Sequence, residues 1–154
     1  MIISEMEDFL SLHRSTFVKS AKNIAILMSD HNVAHAKLLL SQYKYSKVPV
    51  IDKEKHFIGV IGLNEIIEFE MSTDFYEEKS HQTKISEIVN SNFKSVQEDF
   101  KIEEILNKLV KDPFIPVLRG EIFTGIITRQ EVLKAVNAMI HSFTKDYDIR
   151  KRNT

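Results

Sequence analysis

The stretch VPVIDKEKHFIGVIGLNEII, Val48 to Ile67, has a close counterpart in IPVLRGEIFTGIITRQEVL, Ile115 to Leu133. Each begins with an apolar residue and proline, passes through a polar turn into an apolar run that contains glycine, and ends in a periodic segment. Runs rich in β-branched and aromatic residues favour strands, whereas Gly and Pro mark turns. Each stretch therefore predicts two short strands in a hairpin, followed by a helix.

The repeat extends upstream, where NIAILMSDHNVAHAKLL (Asn23 to Leu39) aligns with NFKSVQEDFKIEEILNK (Asn92 to Lys108). Apolar residues recur there at intervals of three and four, which is typical of an amphipathic helix after a short strand. Each copy therefore predicts the order strand, helix, strand, strand, helix, which is an α+β fold. A unit of about sixty residues is marginal alone, so we expect the two copies to pack sheet to sheet as a pseudo-twofold module.

The boundaries follow from this repeat. An amphipathic helix is expected from Ser4 to Phe17, packed on the module. The predicted divisions are an N-terminal helix (1–16), a first repeat (17–70), a polar linker (71–83), a second repeat (84–141) and a charged tail (142–154).

Composition excludes several classes of protein. The 154 residues carry 21 basic and 22 acidic side chains, so net charge provides no general attraction to nucleic acid or anionic lipid. The chain has no cysteine, which excludes disulfides and thiol chemistry. No apolar run is long enough for a membrane span and no signal-type start is evident, so we expect a cytoplasmic location without membrane or nucleic-acid partners.

No constellation of residues indicates catalysis or a metal site. His31 and His35 are four residues apart, but the glutamate of the zinc-protease signature is missing, and Asp30 and Asn32 are typical helix-start residues. There is no nucleophile elbow, Walker loop or dinucleotide fingerprint. We therefore expect a protein that is not an enzyme and has no metal or cofactor.

The repeated motifs resemble those of the paired cystathionine-beta-synthase (CBS) domains that form Bateman modules. They are the apolar-Pro-Val strands at Pro49 and Pro116, the strands at Gly59 and Gly125, and TRQE at Thr128 to Glu131. The resemblance implies a non-catalytic sensor that binds adenosine-containing ligands in clefts between the repeats and pairs into dimers.

The chain more closely resembles the stand-alone CBS-pair proteins of Gram-positive bacteria that bind cyclic di-AMP, the CbpB or DarB type. The shared marks are a short N-terminal helix, NIA, the approach YSKVPV, and a final TR. The resemblance implies one cleft whose contacts are Asn23, Ile24, Ala25, Tyr45, Ser46, Lys47, Val48, Pro49, Thr128, Arg129 and Gln130. Arg129 is expected to bind phosphate, and residues 23–25 to offer backbone hydrogen bonds to adenine.

Each of these residues also has a structural interpretation. Arg129 could form a surface salt bridge to Glu131 or a neighbouring acid, Tyr45 could be a partly buried packing residue, and Ser46 could cap a turn. Many CBS repeats that bind AMP or ATP carry Asp where this chain has Glu65 and Glu131. Gln130 stands where the cyclic di-AMP receptors tend to have a second arginine.

The equivalent second cleft has poorer chemistry for a ligand. Lys94 takes the place of Ala25, Pro113 that of Ser46, and Gly62 with Leu63 that of the Thr-Arg step. Proline has no N–H to donate, so we expect one ligand per chain.

The expected function is a sensor of cyclic di-AMP that regulates a partner protein. The resemblance implies the (p)ppGpp synthetase/hydrolase as partner and a homodimer formed through apolar helix faces. Those faces would include Ile66, Ile67, Phe69, Val132, Leu133 and Val136, unless the N-terminal helix covers them. Two alternatives remain open: a sensor of AMP, ADP or ATP, and a protein-interaction module without a ligand.

Overall fold

A computed structural model of the chain describes residues 1–153, and Thr154, the last residue of the predicted tail, lies outside them. The helices are α1 (Ser4–Leu12), α2 (Arg14–Phe17), α3 (Val33–Tyr43), α4 (Leu63–Ser72), α5 (Glu77–Gln82), α6 (Ile102–Lys111) and α7 (Arg129–Ser142). The strands are β1 (Val18–Ser20), β2 (Leu27–Met28), β3 (Lys47–Ile51), β4 (Phe57–Gly62), β5 (Val96–Gln97), β6 (Phe114–Arg119) and β7 (Ile122–Thr128). One-turn 3-10 helices occur at Ala21–Asn23, Ile85–Glu87 and Phe143–Lys145.

Each copy forms the predicted order of strand, helix, strand, strand, helix. In the first copy β2 pairs with β3 in parallel and β3 pairs with β4 in antiparallel fashion. In the second copy β5, β6 and β7 repeat this arrangement, and β1 adds a fourth strand beside β7. The predicted α+β fold of two repeats is therefore confirmed.

The helix that follows the first strand of each copy owes its position to its apolar period. Residues at the three- and four-residue apolar intervals are buried in both helices: Val33, Ala36 and Leu40 of α3, and Ile102, Ile105 and Leu109 of α6. Asn32 starts α3, where its side-chain oxygen accepts a hydrogen bond from the His35 backbone N–H at 2.8 Å. Each helix thereby covers the outer face of its own sheet.

The inner faces of the two sheets pack against each other. Their shared apolar cluster is centred on Val60 from the first copy and Phe114, Phe123 and Ile126 from the second. The rings of Phe57 and Phe123, which occupy equivalent positions in the two copies, stack with centroids 6.0 Å apart. Equivalent residues in contact indicate a pseudo-twofold axis through this point.

The segments that precede each copy pack on the other copy. β1 pairs with β7, and Phe17 is fully buried in the core of the second copy. The linker forms α5, and Ile85 beyond it is buried in the core of the first copy. The predicted N-terminal helix is interrupted at His13, which lies outside helical geometry at φ −96° and ψ 1°.

Two equivalent glycines allow these crossing segments to approach the sheets. A Cβ on Gly125 would lie 2.2 Å from the Lys19 carbonyl oxygen of β1, and one on Gly59 would lie 2.3 Å from the Asn90 carbonyl oxygen of the segment that precedes β5. Gly59 also has a φ of 155°, which side chains rarely allow. Both positions therefore require glycine.

The apolar helix faces expected at a dimer contact are only partly exposed. Ile66 and Val132 are buried, and Phe69 and Val136 are partly buried against the cores. The exposed apolar residues are Leu63, Ile67 and Met71, which form one stripe of α4, and Leu133 and Ile140 on α7. The expectation was therefore wrong for Ile66 and Val132, which the cores of one chain bury.

The start of the predicted tail is part of the fold. Phe143 is buried, and its ring stacks on Tyr147 at 4.5 Å between centroids.

Among residues 1–153, none of the helices combines the length and hydrophobicity that crossing a bilayer requires.

Candidate functional site

A cavity of about 280 Å³ lies where the start of the first copy meets the end of β7 and the start of α7. Its lining consists of Lys19, Asn23, Ile24, Ala25, Tyr45, Ser46, Lys47, Val48, Pro49, Pro113, Phe114, Ile126, Thr128 and Gln130. Both copies contribute, because the inner faces of their sheets face each other. We call this the cleft cavity.

All the predicted ligand contacts line the cleft cavity except Arg129. They come from three segments far apart in sequence: residues 23–25 ahead of β2, residues 45–49 at the start of β3, and the junction of β7 with α7. The structure therefore brings these segments together. Their contact with a ligand stays a prediction.

The Arg129 guanidinium points away from the cleft cavity and toward the end of α6, so the expectation that it faces the cleft was wrong. Its Nε donates to the Leu109 carbonyl at 2.6 Å and its Nη2 to the Val110 carbonyl at 3.1 Å. These carbonyls belong to the last turn of α6, where helical carbonyls lack intrahelical partners. Nor does Arg129 pair with Glu131, whose carboxylate binds Lys19 and Lys134 instead.

Four residues of the lining were missed by sequence reasoning: Lys19, Pro113, Phe114 and Ile126. Lys19 reaches the cavity because β1 pairs with β7, with Lys19 opposite Ile126. A three-residue strand has no detectable period, so only the pairing itself could have revealed it. Pro113 and Phe114 could have been predicted from the repeat, since they are the second copy's counterparts of Ser46 and Lys47.

The interior of the cavity is mainly apolar and presents uncommitted backbone groups. Val48 and Pro49 are buried, as is Ile126, while Ala25 leaves room for close approach. Residues 24–26 lie outside the sheet ladders. Their backbone groups are therefore available to the edge of a planar ligand such as a purine base.

Two lysines provide positive charge. The Lys47 Nζ lies 5.3 Å from the centroid of the Phe93 ring, and the Lys19 Nζ lies 3.5 Å from Oε1 of Glu131. The N-terminus of α7 adds a partial positive charge, because Thr128 and Gln130 at that end line the cavity. Thr128 caps the helix by accepting the Glu131 N–H at 3.3 Å. This combination suits an anion at the cavity rim.

Glu131 is the acid beside this rim. The hydrogen bond from Lys134 lowers the pKa of its carboxyl below the ordinary 4.5, and the charge of Lys19 adds to that effect against the opposing influence of burial. Glu131 is therefore an anion at neutral pH, and it neutralises part of the positive charge of Lys19 and Lys134.

A second, shallower cavity of about 510 Å³ adjoins the first and shares Asn23, Ile24, Ala25 and Tyr45 with it. The rings of Tyr43 and Tyr45 stack there, with centroids 6.0 Å apart and planes 15° apart. Tyr45 is 45% exposed, which disfavours its interpretation as a packing residue. We call this pair the tyrosine shelf.

At the equivalent second cleft, the counterpart of Ile24 is an aromatic residue that packs against Phe114 of the cleft-cavity lining. Phe93, the counterpart of Ile24, lies with its ring centroid 5.4 Å from that of Phe114. Phe93 also packs against the apolar cluster between the sheets. This packing supports the prediction of one ligand per chain, which remains to be tested.

Among the described residues, one group of three side chains could hold a metal ion: Asp52, Glu54 and His56, which were not singled out from the sequence. Asp52 accepts hydrogen bonds from the backbone N–H of both Glu54 and His56 at 2.9 Å. These bonds close the turn between β3 and β4, which accounts for the arrangement without an ion.

The CBS domain family matches residues 17–72 and 85–138. The chain therefore belongs to the CBS-domain family and carries a tandem pair of its domains. Proteins of this family are regulatory, nucleotide-binding and generally non-catalytic.

Within the family, the chain is similar to a group of small receptors. Cyclic di-AMP receptor B of Bacillus subtilis (strain 168) is 28% identical over 147 residues, which cover 94% of this chain and 100% of the receptor. The crystal structure of CbpB from Streptococcus agalactiae is 36% identical with a TM-score of 0.92, covering 98% of this chain and 96% of that one. A crystal structure of CbpB in complex with c-di-AMP is 37% identical with a TM-score of 0.84, covering 93% and 96%.

Proposed function

We propose that this protein binds one molecule of cyclic di-AMP at the cleft cavity and reports its presence to a protein partner. The observation that carries the proposal is the cleft cavity joined to the tyrosine shelf, in a chain 37% identical to a CbpB whose complex with c-di-AMP has been solved. Cyclic di-AMP has two adenines and two phosphates. A receptor for it needs two base sites beside positive charge.

The cleft cavity suits one half of this ligand. Its volume of about 280 Å³ is just below the range, about 300 to 1,000 Å³, of small-molecule sites, as suits a cavity that holds half of a ligand. One adenine would lie against Ala25 and Val48, with its edge bonded to the backbone of residues 23–25. The second adenine would stack on the tyrosine shelf, because base-on-aromatic stacking is favourable for any base.

The phosphates would lie between these two base sites. The N-terminus of α7 and the Lys47 ammonium are two of the nearby positive groups, and the Thr128 and Ser46 hydroxyls can donate to phosphate oxygens. Arg129 would act indirectly by fixing the start of α7 to the end of α6. This division of roles replaces the direct phosphate contact expected of Arg129.

The signal would leave through a protein surface. Resemblance points to the (p)ppGpp synthetase/hydrolase as the partner, with cyclic di-AMP preventing its contact with the receptor. Linkage then requires that the partner lower the affinity for cyclic di-AMP by the factor by which cyclic di-AMP lowers affinity for the partner. We also propose a homodimer, in which the exposed stripe on α4 and Leu133 on α7 meet a second copy.

Isothermal titration with cyclic di-AMP, followed by AMP and ATP, tests the ligand. We expect saturable binding of one cyclic di-AMP per chain, with little response to the mononucleotides because each would occupy only one base site. Two equivalent sites per chain would contradict the assignment of the second cleft. Stronger binding of AMP or ATP than of cyclic di-AMP would identify an adenine-mononucleotide sensor instead.

A further inference from the structure

The N-terminal segment brings a cation into the cleft cavity. Lys19 lies on β1, the edge strand of the second sheet, directly across from Ile126 of β7. Side chains at paired positions of an antiparallel ladder lie on the same face, and both residues line the cavity. The strand that precedes the first copy therefore delivers an ammonium group to the wall of a site formed mainly by other segments.

In this structure the Lys19 ammonium is paired with Glu131. The Lys19 Nζ lies 3.5 Å from Oε1 of Glu131, beyond the usual 2.7 to 3.2 Å of a hydrogen bond. The same oxygen is 2.9 Å from the Lys134 Nζ, which is a hydrogen-bond distance. Lys134 is not part of the cavity lining. Glu131 thus has one close partner outside the cavity and one looser partner at its wall.

We propose that Lys19 is a phosphate ligand of the bound dinucleotide and that Glu131 holds its ammonium beside the cavity until the ligand arrives. The inference rests on the proposed function. On binding, the Lys19 ammonium moves from the Glu131 carboxylate to a phosphate oxygen. The Glu131 carboxylate keeps an ion-pair partner after the exchange, because Lys134 remains bound to it.

The exchange also accounts for the charge of the site. Cyclic di-AMP carries two negative charges, while Arg129 is committed to α6 and Gln130 is neutral. Lys19 and Lys47 are the two cations among the residues that line the cleft cavity. Charged contacts to phosphate are stronger than neutral ones, so both lysines are needed to match the two phosphates.

Phosphate binding by Lys19 would also stabilise the N-terminal strand β1. β1 is joined to the sheet on one side only, and edge strands of three residues are weakly held. A phosphate bound to Lys19 would tie this strand to the ligand. Hydrogen exchange of the β1 backbone should therefore slow when cyclic di-AMP binds, and the Lys19→Met variant should lose that slowing while keeping any slowing at residues 45–49.

The test compares Lys19→Met with Lys134→Met in titrations with cyclic di-AMP. Both changes remove one lysine partner of Glu131 and keep an unbranched side chain only one atom shorter, but Lys134 lies outside the cavity lining. We expect Lys19→Met to weaken binding by about tenfold and to reduce its salt dependence, and Lys134→Met to change it less than about threefold. Glu131→Gln should tighten binding by about twofold to threefold, since it releases the Lys19 ammonium.

The outcomes separate the inference from the proposed function. Unchanged affinity in Lys19→Met, or equal losses in Lys19→Met and Lys134→Met, would overturn the phosphate role of Lys19 alone. Absence of binding by the unsubstituted chain would overturn the proposed function and this inference with it. If Lys19→Met failed to fold, Lys19→Arg and Glu131→Gln would still decide: Lys19→Arg should retain binding, and weaker binding by Glu131→Gln would contradict the exchange.

Discussion

At the residue scale, Arg129 joins the end of α6 to the start of α7. Its guanidinium donates two hydrogen bonds to carbonyls of the last α6 turn, and its backbone N–H donates to the Pro113 carbonyl at 3.2 Å. A cation at a helix C-terminus is also favoured by the helix dipole. The residue therefore fixes the helix whose N-terminus lines the cleft cavity.

Arg129→Ala should lower the free energy of unfolding by about 1.5 to 3 kcal/mol, the range for hydrogen bonds to a charged group. Urea denaturation followed by circular dichroism measures this change. Lys111→Ala is a matched control, because it also removes a positive charge beside the last turn of α6. Its effect on the free energy of unfolding should be much smaller. An unchanged unfolding midpoint in Arg129→Ala, with lost affinity for cyclic di-AMP, would instead place the guanidinium at the ligand.

Glu131 makes stability depend on pH. Its pKa is lowered in the folded chain by the hydrogen bond from Lys134, with the charge of Lys19 contributing, so the folded state favours the anion. The stabilisation is complete above the unfolded pKa, the ordinary 4.5, and is lost as the pH falls through the lower folded pKa. Urea midpoints measured from pH 3 to 7 should fall less steeply below pH 4.5 in Glu131→Gln than in the unsubstituted chain.

Glu98 is the control for this titration. Its pKa is also lowered, by the hydrogen bonds from Arg119, which is not a partner of Glu131. Glu131→Gln should therefore leave a residual acid limb that Glu98→Gln reduces further. Superimposable curves for Glu131→Gln and the unsubstituted chain would mean that Glu131 has the same pKa folded and unfolded.

At the element scale, the edge strand β1 depends on a single glycine of β7. Gly125→Ala would place a Cβ 2.2 Å from the Lys19 carbonyl oxygen, so β1 would have to move away from β7. We expect a loss of about 2 to 4 kcal/mol, typical of a large steric effect in a packed element. Thermal unfolding by calorimetry measures it, and hydrogen exchange should show the loss of β1 pairing.

Gly120→Ala is the matched comparison. Gly120 has a φ of 63°, and nothing lies within 4 Å of an added Cβ, so only the backbone preference opposes alanine there. The cost should be about 1 kcal/mol. If Gly125→Ala were no more destabilising than Gly120→Ala, close approach of β1 would not be what keeps glycine at position 125.

The elements that sequence could predict are those with a period or a repeat. α3, α6 and the two hairpins each carry a recognisable pattern and occur twice, so each copy supports the assignment of the other. β1 and the break at His13 carry neither signal, because three residues cannot show a period and tertiary pairing decides them. Resemblance to a known family predicted the residues of the cleft cavity. The place of Lys19 depends on the pairing of β1 with β7, and the direction of Arg129 depends on the carbonyls at the end of α6. No local motif specifies either contact.

At the scale of the whole molecule, the pseudo-twofold axis through Phe57 and Phe123 leaves equivalent apolar residues on both copies. Ile67 and Leu133 occupy matching positions on α4 and α7 and are 48% and 63% exposed. Leu63 and Met71 extend the first of these positions into a stripe along α4. An exposed apolar stripe of this kind typically marks an interaction site, which supports the proposed homodimer.

The double change Ile67→Glu and Leu133→Glu should convert the dimer into monomers, because carboxylates would be buried without partners across the contact. Light scattering after size exclusion should then give the chain mass in place of twice that mass, with circular dichroism unchanged since both side chains are exposed. Leu12→Glu, at an 80% exposed position on α1, is the control and should remain dimeric. Dissociation by Leu12→Glu but not by the double change would move the contact to the N-terminal segment, and a monomeric unsubstituted chain would exclude the dimer.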